Sequence, residues 1–319
     1  MPAVLGDPEK RDTTGYVGEE DRQLPKILEQ MNEEEKSRLY YLVEKKAWIK
    51  ATEIAPFTDE EQSKIAQTEK KHGPRVAKNV SDILYRRHHW TMLRWFLFGG
   101  LVDIPVTENP RKAWDPDDNP FIKIRMPSFV FTQDEHDQSS PIKRLPDKDY
   151  LRLTAYAWVH EPLLGVPKSR QMLLTWLFCA IAVHETLFRP ARNTAWISKK
   201  FDDANATIEK RVKAIADRQP HGRLPVPKYK FIKGILECED TASIIRAMGE
   251  DAKGLRQYTF SWVFDDEAGF QEQADGIVQA ALPTVKGGGR FTLVSSANGK
   301  EVFYEVITEN GKIPAPPGK

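Results

Sequence analysis

Apolar and polar positions along the chain follow two different periods. Over residues 22–100 the apolar residues recur at helical spacing. In "MNEEEKSRLYYLVEKKAW", for example, Leu39, Leu42 and Val43 share one helical face. We therefore predict a helical N-terminal region over residues 22–100, preceded by a polar, flexible N-terminus over residues 1–21.

The starts and ends of these helices are also marked in the sequence. Asn32 with Glu35, and Thr58 with Glu61, are spaced as capping boxes, in which an N-terminal side chain and a glutamate three residues later satisfy free amides. Gly73 stands where the second helix has to end, because glycine readily adopts the conformations found past a helix C-terminus.

A third helical segment, "VSDILYRRHHWTMLRWFLFGG", mixes arginines with aromatic residues. This mixture suits a nucleic-acid surface, where arginine contacts the backbone and aromatic rings stack on bases. It equally suits an amphipathic helix that buries its aromatic face, and the helical spacing favours this second interpretation.

The pattern changes after a Pro- and Asp-rich connector over residues 101–148, in which only "PSFVFTQ" predicts a strand. Over residues 149–305 short apolar strands alternate with helices such as "DDANATIEKRVKAIADR". This alternation predicts an α/β sheet with substantial parallel character, covered by helices on both faces. Residues 306–319 are predicted to form a linker or tail.

Composition narrows the function classes. The 319 residues are 40% hydrophobic and 29% charged with a net charge of +1, which describes an ordinary globular protein and removes global attraction to nucleic acid as an argument. The longest apolar run is too short to cross a bilayer, so no membrane partner is expected. Cys179 and Cys238 stand far apart, and no histidine spacing suggests a metal site. Any activity must therefore come from local sites.

The first candidate site is "LLGVPKSRQMLLTWLF", a strand leading through a loop into a helix. It fits the Walker A frame only if Thr175 is the final hydroxyl, which leaves Lys168, Leu173 and Leu174 at the glycine, glycine and lysine positions. Either the segment is not a phosphate loop, or its lysine has moved to the front, since backbone amides bind phosphate whatever the side chains are. The candidate nucleotide-binding residues are Lys168, Ser169, Arg170, Gln171 and Thr175.

The second is "YTFSWVFDDEAGF", where a strand over residues 258–264 is predicted to deliver Asp265, Asp266 and Glu267 at its end. Asp266 could hold Mg²⁺ beside the Thr175 hydroxyl, and Glu267 could orient a hydrolytic water, as a Walker B pair does. Acidic residues also simply terminate strands, but three adjacent carboxylates repel one another without a cation.

The third is "RFTLVSSANG", a strand that ends in Ser295, Ser296 and Asn298. Such residues can sense a terminal phosphate or its water, although the same composition is typical of a turn. The order of the three segments, a phosphate loop followed by an acidic and then a polar strand end, is that of a RecA-like ATPase.

Together, "VPKSRQMLLTWL", "WVFDDEAGF" and "LVSSANG" resemble the ATPase domain of large terminase subunits, the DNA-packaging motors of tailed bacteriophages. The resemblance implies a RecA-like (ASCE) P-loop ATPase fold with a mainly parallel sheet, with Lys168 as the phosphate-loop lysine and Glu267 as the catalytic glutamate. It implies a coupling role for Ser295, Ser296 and Asn298. "DAKGLRQYTF" resembles the segment before Walker B, which makes Arg256 a catalytic candidate, although an exposed loop arginine is an equal alternative.

The resemblance further implies ATP and Mg²⁺ as cofactors and translocation of double-stranded DNA into the procapsid. Expected partners are the phage portal, the small terminase subunit and further copies of this chain in a ring, in the host cytoplasm. A neighbour's arginine would complete each site, with Arg170, Arg189, Arg192 and Arg256 as candidates. No nuclease site is expected on this chain. The alternatives are another helicase-type RecA-like ATPase, or a catalytically silent nucleotide-binding scaffold.

Overall fold

The N-terminal region is helical in the computed structural model, which describes residues 31–105, 121–134, 137–169, 172–296, 298 and 303–304. Its three helices are α1 (Glu33–Thr52), α2 (Asp59–His72) and α3 (Pro74–Phe98). Both predicted capping boxes are confirmed, since the Asn32 side chain accepts from the Glu35 amide and Thr58 accepts from the Glu61 amide.

Helix α3 buries its aromatic face. Trp95, Phe96 and Phe98 are buried, whereas Arg86 and Arg87 are exposed, so the core interpretation of this helix is confirmed. The buried side chains of α1 and α3 belong to the same hydrophobic cluster as those of the α/β sheet. The helices therefore pack directly onto the rest of the fold.

The connector contains more strands than the single one predicted. Strands β1 (Gly100–Pro105) and β2 (Phe121–Met126) form one antiparallel pair, and β3 (Phe131–Gln133) and β4 (Ile142–Arg144) form another. The prediction was wrong here because these strands are short and flanked by prolines. The three residues of β4, for instance, carry no apolar alternation.

A seven-stranded sheet forms the centre of the α/β part, in the order β5-β11-β10-β6-β9-β8-β7. The first five strands in this order are parallel, and β8 and β7 extend the sheet antiparallel. The strands are β5 (Leu163–Pro167), β6 (Asn193–Ile197), β7 (Lys230–Ile232), β8 (Ile235–Cys238), β9 (Ser243–Met248), β10 (Trp262–Asp266) and β11 (Arg290–Ser295).

Helices cover both faces of this sheet, as predicted. They are α4 (Asp149–His160), α5 (Leu174–Phe188), α6 (Phe201–Thr207), which continues through a π-helical stretch (Ile208–Lys213) into α7 (Ala214–Asp217), and then α8 (Ala252–Leu255) and α9 (Ala274–Lys286). Along β10, Trp262 and Phe264 join one hydrophobic cluster while Val263 joins the other, because successive side chains point to opposite faces. The four predicted inward positions, Ala204, Ile208, Val212 and Ile215, are fully buried.

Among the helices of the described residues, none is long and apolar enough to cross a membrane.

Candidate functional site at the carboxyl edge of the sheet

The carboxyl ends of β5, β11 and β10 lie side by side at one edge of the sheet. Val166 of β5 pairs with Val294 of β11, and Val294 pairs in turn with Asp266 of β10, so these strands end at the same level. Parallel strands present their carboxyl ends on one edge, where α/β proteins bind ligands. The phosphate-loop segment at the end of β5 and the acidic segment at the end of β10 therefore lie on either side of the polar segment at the end of β11.

Lys168, Thr175 and Asp266 form a closed triangle at this edge. The Lys168 Nζ lies 3.1 Å from the Thr175 Oγ1 and 3.1 Å from the Asp266 Oδ1. The Thr175 hydroxyl in turn donates to the Asp266 Oδ2 at 3.4 Å. The Lys168 and Asp266 side chains are only 14% and 12% exposed, so the ion pair is largely shielded from water. The three residues that the sequence placed in the Walker A and Walker B positions are therefore in contact.

The residue directly before α5 has a left-handed backbone conformation. Leu173 stands at the second glycine position of the Walker A frame and adopts a left-handed conformation, with φ 55° and ψ 9°. Glycine reaches this conformation freely, whereas another residue loses about 1–2 kcal/mol there. Helix α5 begins directly afterwards, so that Thr175 lies in its first turn.

Strand β10 differs from its predicted extent in a way that matters for the site. It begins at Trp262 rather than Tyr258 and contains both aspartates as its last residues. Because side chains alternate along a strand, Asp265 is fully buried while Asp266 reaches the edge. The expectation that three carboxylates crowd together at the strand end was therefore wrong.

Asp265 is held away from the site by Gln271, whose Nε2 donates to the Asp265 Oδ1 and to the Asp266 backbone carbonyl. Burial raises the pKa of the Asp265 carboxyl well above its usual range, and the hydrogen bond from Gln271 opposes this only in part. Burial therefore favours the neutral form of the Asp265 carboxyl. Gln271 was not among the predicted residues, and nothing in the local pattern marks it.

Glu267 lies immediately after β10 in a left-handed conformation with φ 59°, and its side chain is exposed at the edge. The turn that follows it is bonded to the end of β11. The Gly269 amide donates to the Ser295 Oγ at 3.1 Å, and the Asn298 Nδ2 donates to the Gly269 carbonyl at 2.7 Å. The Ser295 hydroxyl donates in turn to the Ser296 carbonyl at 2.8 Å. The predicted coupling residues thus hold the turn that carries Glu267.

Gly269, which was not among the predicted residues, lies where this turn meets β11. A Cβ added there would lie 2.9 Å from the Ser295 Oγ, closer than real Cβ atoms come. A larger residue at this position would therefore require the Ser295 side chain to move. The signal in the sequence was a glycine two residues after Glu267.

The remaining candidates are placed as follows. Ser169 is exposed beside Lys168, whereas Arg170 and Gln171 lie outside the described residues. Arg256 is exposed at the end of α8 and makes no side-chain hydrogen bond or ion pair within the described part of the chain. Arg189 is only 2% exposed and lies at the opposite, amino edge of the sheet, so it cannot reach a neighbouring subunit in this conformation.

The oxygens of the triangle suit a divalent cation. The Thr175 Oγ1 and the Asp266 carboxylate are hard oxygen donors, and both already contact one positive charge, the Lys168 ammonium. Mg²⁺ prefers such oxygens and binds through one or two protein groups together with substrate phosphates. The residues present therefore fit Mg²⁺.

No family model matches this chain, and no curated protein matches it. Solved structures do. The chain is similar to the large terminase ATPase domain of a Thermus phage, with 19% identity, a TM-score of 0.37, and coverage of 46% of this chain and 64% of that one. It is also similar to the large terminase of bacteriophage HK97, with 11% identity, a TM-score of 0.43, and coverage of 53% and 37%. A third is a large terminase from a thermophilic bacteriophage in complex with ADP, with 11% identity, a TM-score of 0.34, and coverage of 46% and 36%.

These structures come from the family that the motifs resemble. The predicted α/β class, with a mainly parallel sheet preceded by helices, is confirmed by the topology of the sheet. The chain spans less than two thirds of the length of each of these proteins.

Proposed function

We propose that the carboxyl edge of the sheet binds ATP with Mg²⁺ and hydrolyses it. The observation that carries this proposal is the contact between Lys168, Thr175 and Asp266 across the end of β11. A lysine, a hydroxyl in the first turn of a helix and a strand-end aspartate in contact are the groups that bind phosphates and a divalent cation in P-loop ATPases.

The Lys168 ammonium is paired with the Asp266 carboxylate. When nucleotide binds, Lys168 would turn from Asp266 toward the β- and γ-phosphates, together with the amides of the loop at the start of α5. Thr175 and Asp266 would then hold Mg²⁺, which neutralises phosphate charge when bound. The exchange leaves no buried carboxylate unpaired, which matters because such a group is costly.

Glu267 would polarise the attacking water, because its carboxylate is exposed at the edge beside the triangle. The turn that carries it is bonded to Ser295 and Asn298. A displacement of Glu267 during hydrolysis would therefore pull on the end of β11. This link supports the coupling role of Ser295 and Asn298 through their side chains and of Ser296 through its backbone carbonyl.

We further propose that the chain is the motor domain of a phage terminase large subunit and drives double-stranded DNA into a procapsid. The motif resemblance and the ATPase geometry support this role. Its partners would be duplex DNA, the portal, the small terminase subunit and other copies of the chain in a ring. In such a ring the exposed Arg256 is suited to complete a neighbour's site, because phosphoryl transfer benefits from an added arginine.

Nucleotide binding tests the proposed site. ADP would be titrated into the full chain by calorimetry, with and without Mg²⁺, for the unmodified protein and for Lys168→Ala. Lys199→Ala serves as the matched control, since Lys199 is an exposed lysine that faces only Glu272. We expect Lys168→Ala to weaken binding by about tenfold or more, because it removes charge-assisted hydrogen bonds, and Lys199→Ala to leave it unchanged.

Equal affinity in all three proteins would overturn the assignment of Lys168. Mg²⁺-dependent binding without any hydrolysis, at high protein concentration and with duplex DNA present, would instead favour the silent nucleotide-binding module. That alternative is retained because Leu173 and Leu174 stand at the glycine and lysine positions of the Walker A frame.

A further inference from the structure

A polar cavity lies at the opposite, amino edge of the same sheet. It has a volume of about 280 Å³ and is bounded by α3, α4 and α5 and by the starts of β6, β10 and β11. Strands β10 and β11, whose carboxyl ends contribute to the candidate ATPase site, thus begin at this cavity. None of the residues that carry the proposed function lines it.

The cavity is lined by an excess of positive charge. Four arginines and two carboxylates face it, namely Arg86, Arg189, Arg192, Arg290, Asp82 and Glu185. His89 also lines the cavity, and burial lowers its pKa to about 4, so it adds no charge at neutral pH. Two positive charges are therefore left over, in a protein whose net charge is only +1.

Arg189 is buried with unused hydrogen-bond donors. It is 2% exposed, and its Nε and Nη1 atoms have no hydrogen-bond partner among the residues that the structure describes. Its Nη2 donates to the Tyr85 hydroxyl, and the guanidinium stacks on the Tyr85 ring at 5.0 Å. The guanidinium is thereby fixed in place while part of its donor set stays unpaired. Leaving buried donors unpaired is costly, which points to a missing acceptor.

Arg192 adds a further donor to the same space. Its Nε has no hydrogen-bond partner within the described residues and lies 3.6 Å from the Glu185 Oε2, beyond hydrogen-bonding distance. Arg290 contributes charge but few free donors, because its guanidinium already binds the Trp158 and Val159 carbonyls at the end of α4. Arg86 lies at the exposed rim, with one bond of 3.3 Å to the His160 carbonyl.

The neighbouring acceptors do not make this a cation site. His89, His184 and Glu185 could present ligand atoms within 4.8 Å of one another. However, Glu185 already accepts from the His89 Nε2 at 2.8 Å and faces Arg192. Guanidinium ions beside these groups would repel a metal ion, whereas they would attract an anion.

We propose that this cavity binds a phosphate group, held by Arg189 and Arg192 inside and by Arg86 at the rim. Guanidinium forks match the geometry of phosphate oxygens, and a phosphate would neutralise the excess charge and satisfy the free donors. The group could belong to a small phosphate-bearing molecule or to a nucleic-acid backbone. Because the donors come from α3 and α5, the ligand would also tie the N-terminal helices to the sheet.

Inorganic phosphate is the first probe, titrated by calorimetry at constant ionic strength into the full chain carrying Lys168→Ala. The Lys168→Ala change weakens the proposed nucleotide site, so phosphate binding in this variant reports on the cavity at the amino edge. A failure of the phosphate proposal is therefore distinguishable from a failure of the ATPase proposal. We expect saturable binding that Arg192→Gln and Arg86→Gln each weaken by about tenfold. Arg75→Gln is the matched control, because Arg75 is an exposed arginine on the same helix as Arg86. It should leave binding unchanged.

The source of the phosphate is separated by competition. A short duplex DNA that displaces inorganic phosphate, with displacement lost in Arg86→Gln, identifies a nucleic-acid backbone. Displacement by pyrophosphate but not by the duplex identifies a small molecule. Both outcomes support a phosphate site. Absence of binding, or equal affinity in the Arg86, Arg192 and Arg75 variants, would overturn it. Arg86 is exposed, so its variant stays informative even if a change at the buried Arg189 prevents folding.

Discussion

The two edges of the sheet differ in how their positively charged side chains are paired. At the carboxyl edge a single ammonium, Lys168, is paired with Asp266 and bonded to Thr175. At the amino edge four guanidinium ions face two carboxylates, and buried donors of Arg189 have no partner within the described part of the chain. The first arrangement is complete and can exchange partners when a ligand arrives. The second has free donors that suit an anion. The two edges therefore differ in how their charges are paired, and not only in the amount of charge.

Turnover is expected to fall strongly in Arg256→Ala. If Arg256 completes a neighbour's carboxyl edge, the variant should lose about 10³-fold in kcat, the usual contribution of an arginine that stabilises phosphoryl transfer. ATP hydrolysis at high protein concentration measures this. Lys253→Ala, an exposed change on the same short helix, is the control and should have little effect. Mixing Arg256→Ala with Glu267→Gln should restore part of the activity, and failure of the mixture to do so would refute action between subunits.

Turnover is expected to fall about 10²-fold in Asp266→Asn, because this variant loses the carboxylate that would hold the cation. Asp265→Asn is the matched neighbour and should change turnover by less than about threefold, because Asp265 lies on the other face of β10 and an asparagine oxygen can still accept from Gln271. Turnover measured across a range of Mg²⁺ concentrations checks both. Equal losses in the two variants would contradict the separation of these aspartates onto opposite faces of β10.

Turnover is expected to fall about tenfold in Ser295→Ala. This variant removes the hydroxyl that accepts from the Gly269 amide and leaves that buried amide unpaired. ADP affinity should stay unchanged, since the serine does not contact the phosphate loop through its side chain. Ser296→Ala is the control, because the Ser296 contact to Ser295 uses only its backbone carbonyl. Similar kinetics for both variants would argue against the side-chain link between β11 and the Glu267 turn.

The amino edge should affect stability rather than turnover. Burial lowers the pKa of His89 to about 4, against the opposing effect of Glu185, and Arg189 and His184 lower it further. Between pH 6.5 and 4 the unfolded chain therefore binds the extra proton, so stability falls as the pH falls through this range. The loss should approach about 2 kcal/mol by pH 5, at about 1.4 kcal/mol per pH unit.

Urea unfolding at pH 7 and pH 5 measures that loss. His89→Gln keeps a donor for Glu185 but has no titrating group, so its stability should depend less on pH. His72→Gln, at an exposed histidine of α2, should behave like the unmodified protein. The same pH dependence in both variants would mean that the buried imidazole is not the group responsible.

The carboxyl edge could be predicted because its chemistry is local in sequence. Each segment carries its polar residues directly after an apolar strand, and parallel topology then brings the strand ends together. The errors at individual residues arose because the alternation of side chains along a β-strand was not applied. Asp265 and Asp266 are adjacent in sequence but point to opposite faces, and the start of β10 was placed four residues too early.

The amino edge could not be predicted for the opposite reason. Its arginines come from α3, the end of α5, the loop before β6 and the start of β11, so no short motif contains them. Arg189 and Arg192 were instead expected as partners for a neighbouring subunit. Capping boxes, by contrast, are fully local, and both were confirmed. Side-chain networks that join distant elements need the fold before they become visible.

ATP hydrolysis by the unmodified chain and by Glu267→Gln tests the central claim most directly. It would be measured with Mg²⁺ at low and high protein concentration, with Glu272→Gln as a control for an exposed glutamate of the same segment. We expect Glu267→Gln to reduce turnover by about 10²- to 10⁴-fold, the range for loss of a general base, while ADP still binds. Turnover that survives in Glu267→Gln at the level of the Glu272→Gln control would contradict an ATPase site at the carboxyl edge of this sheet.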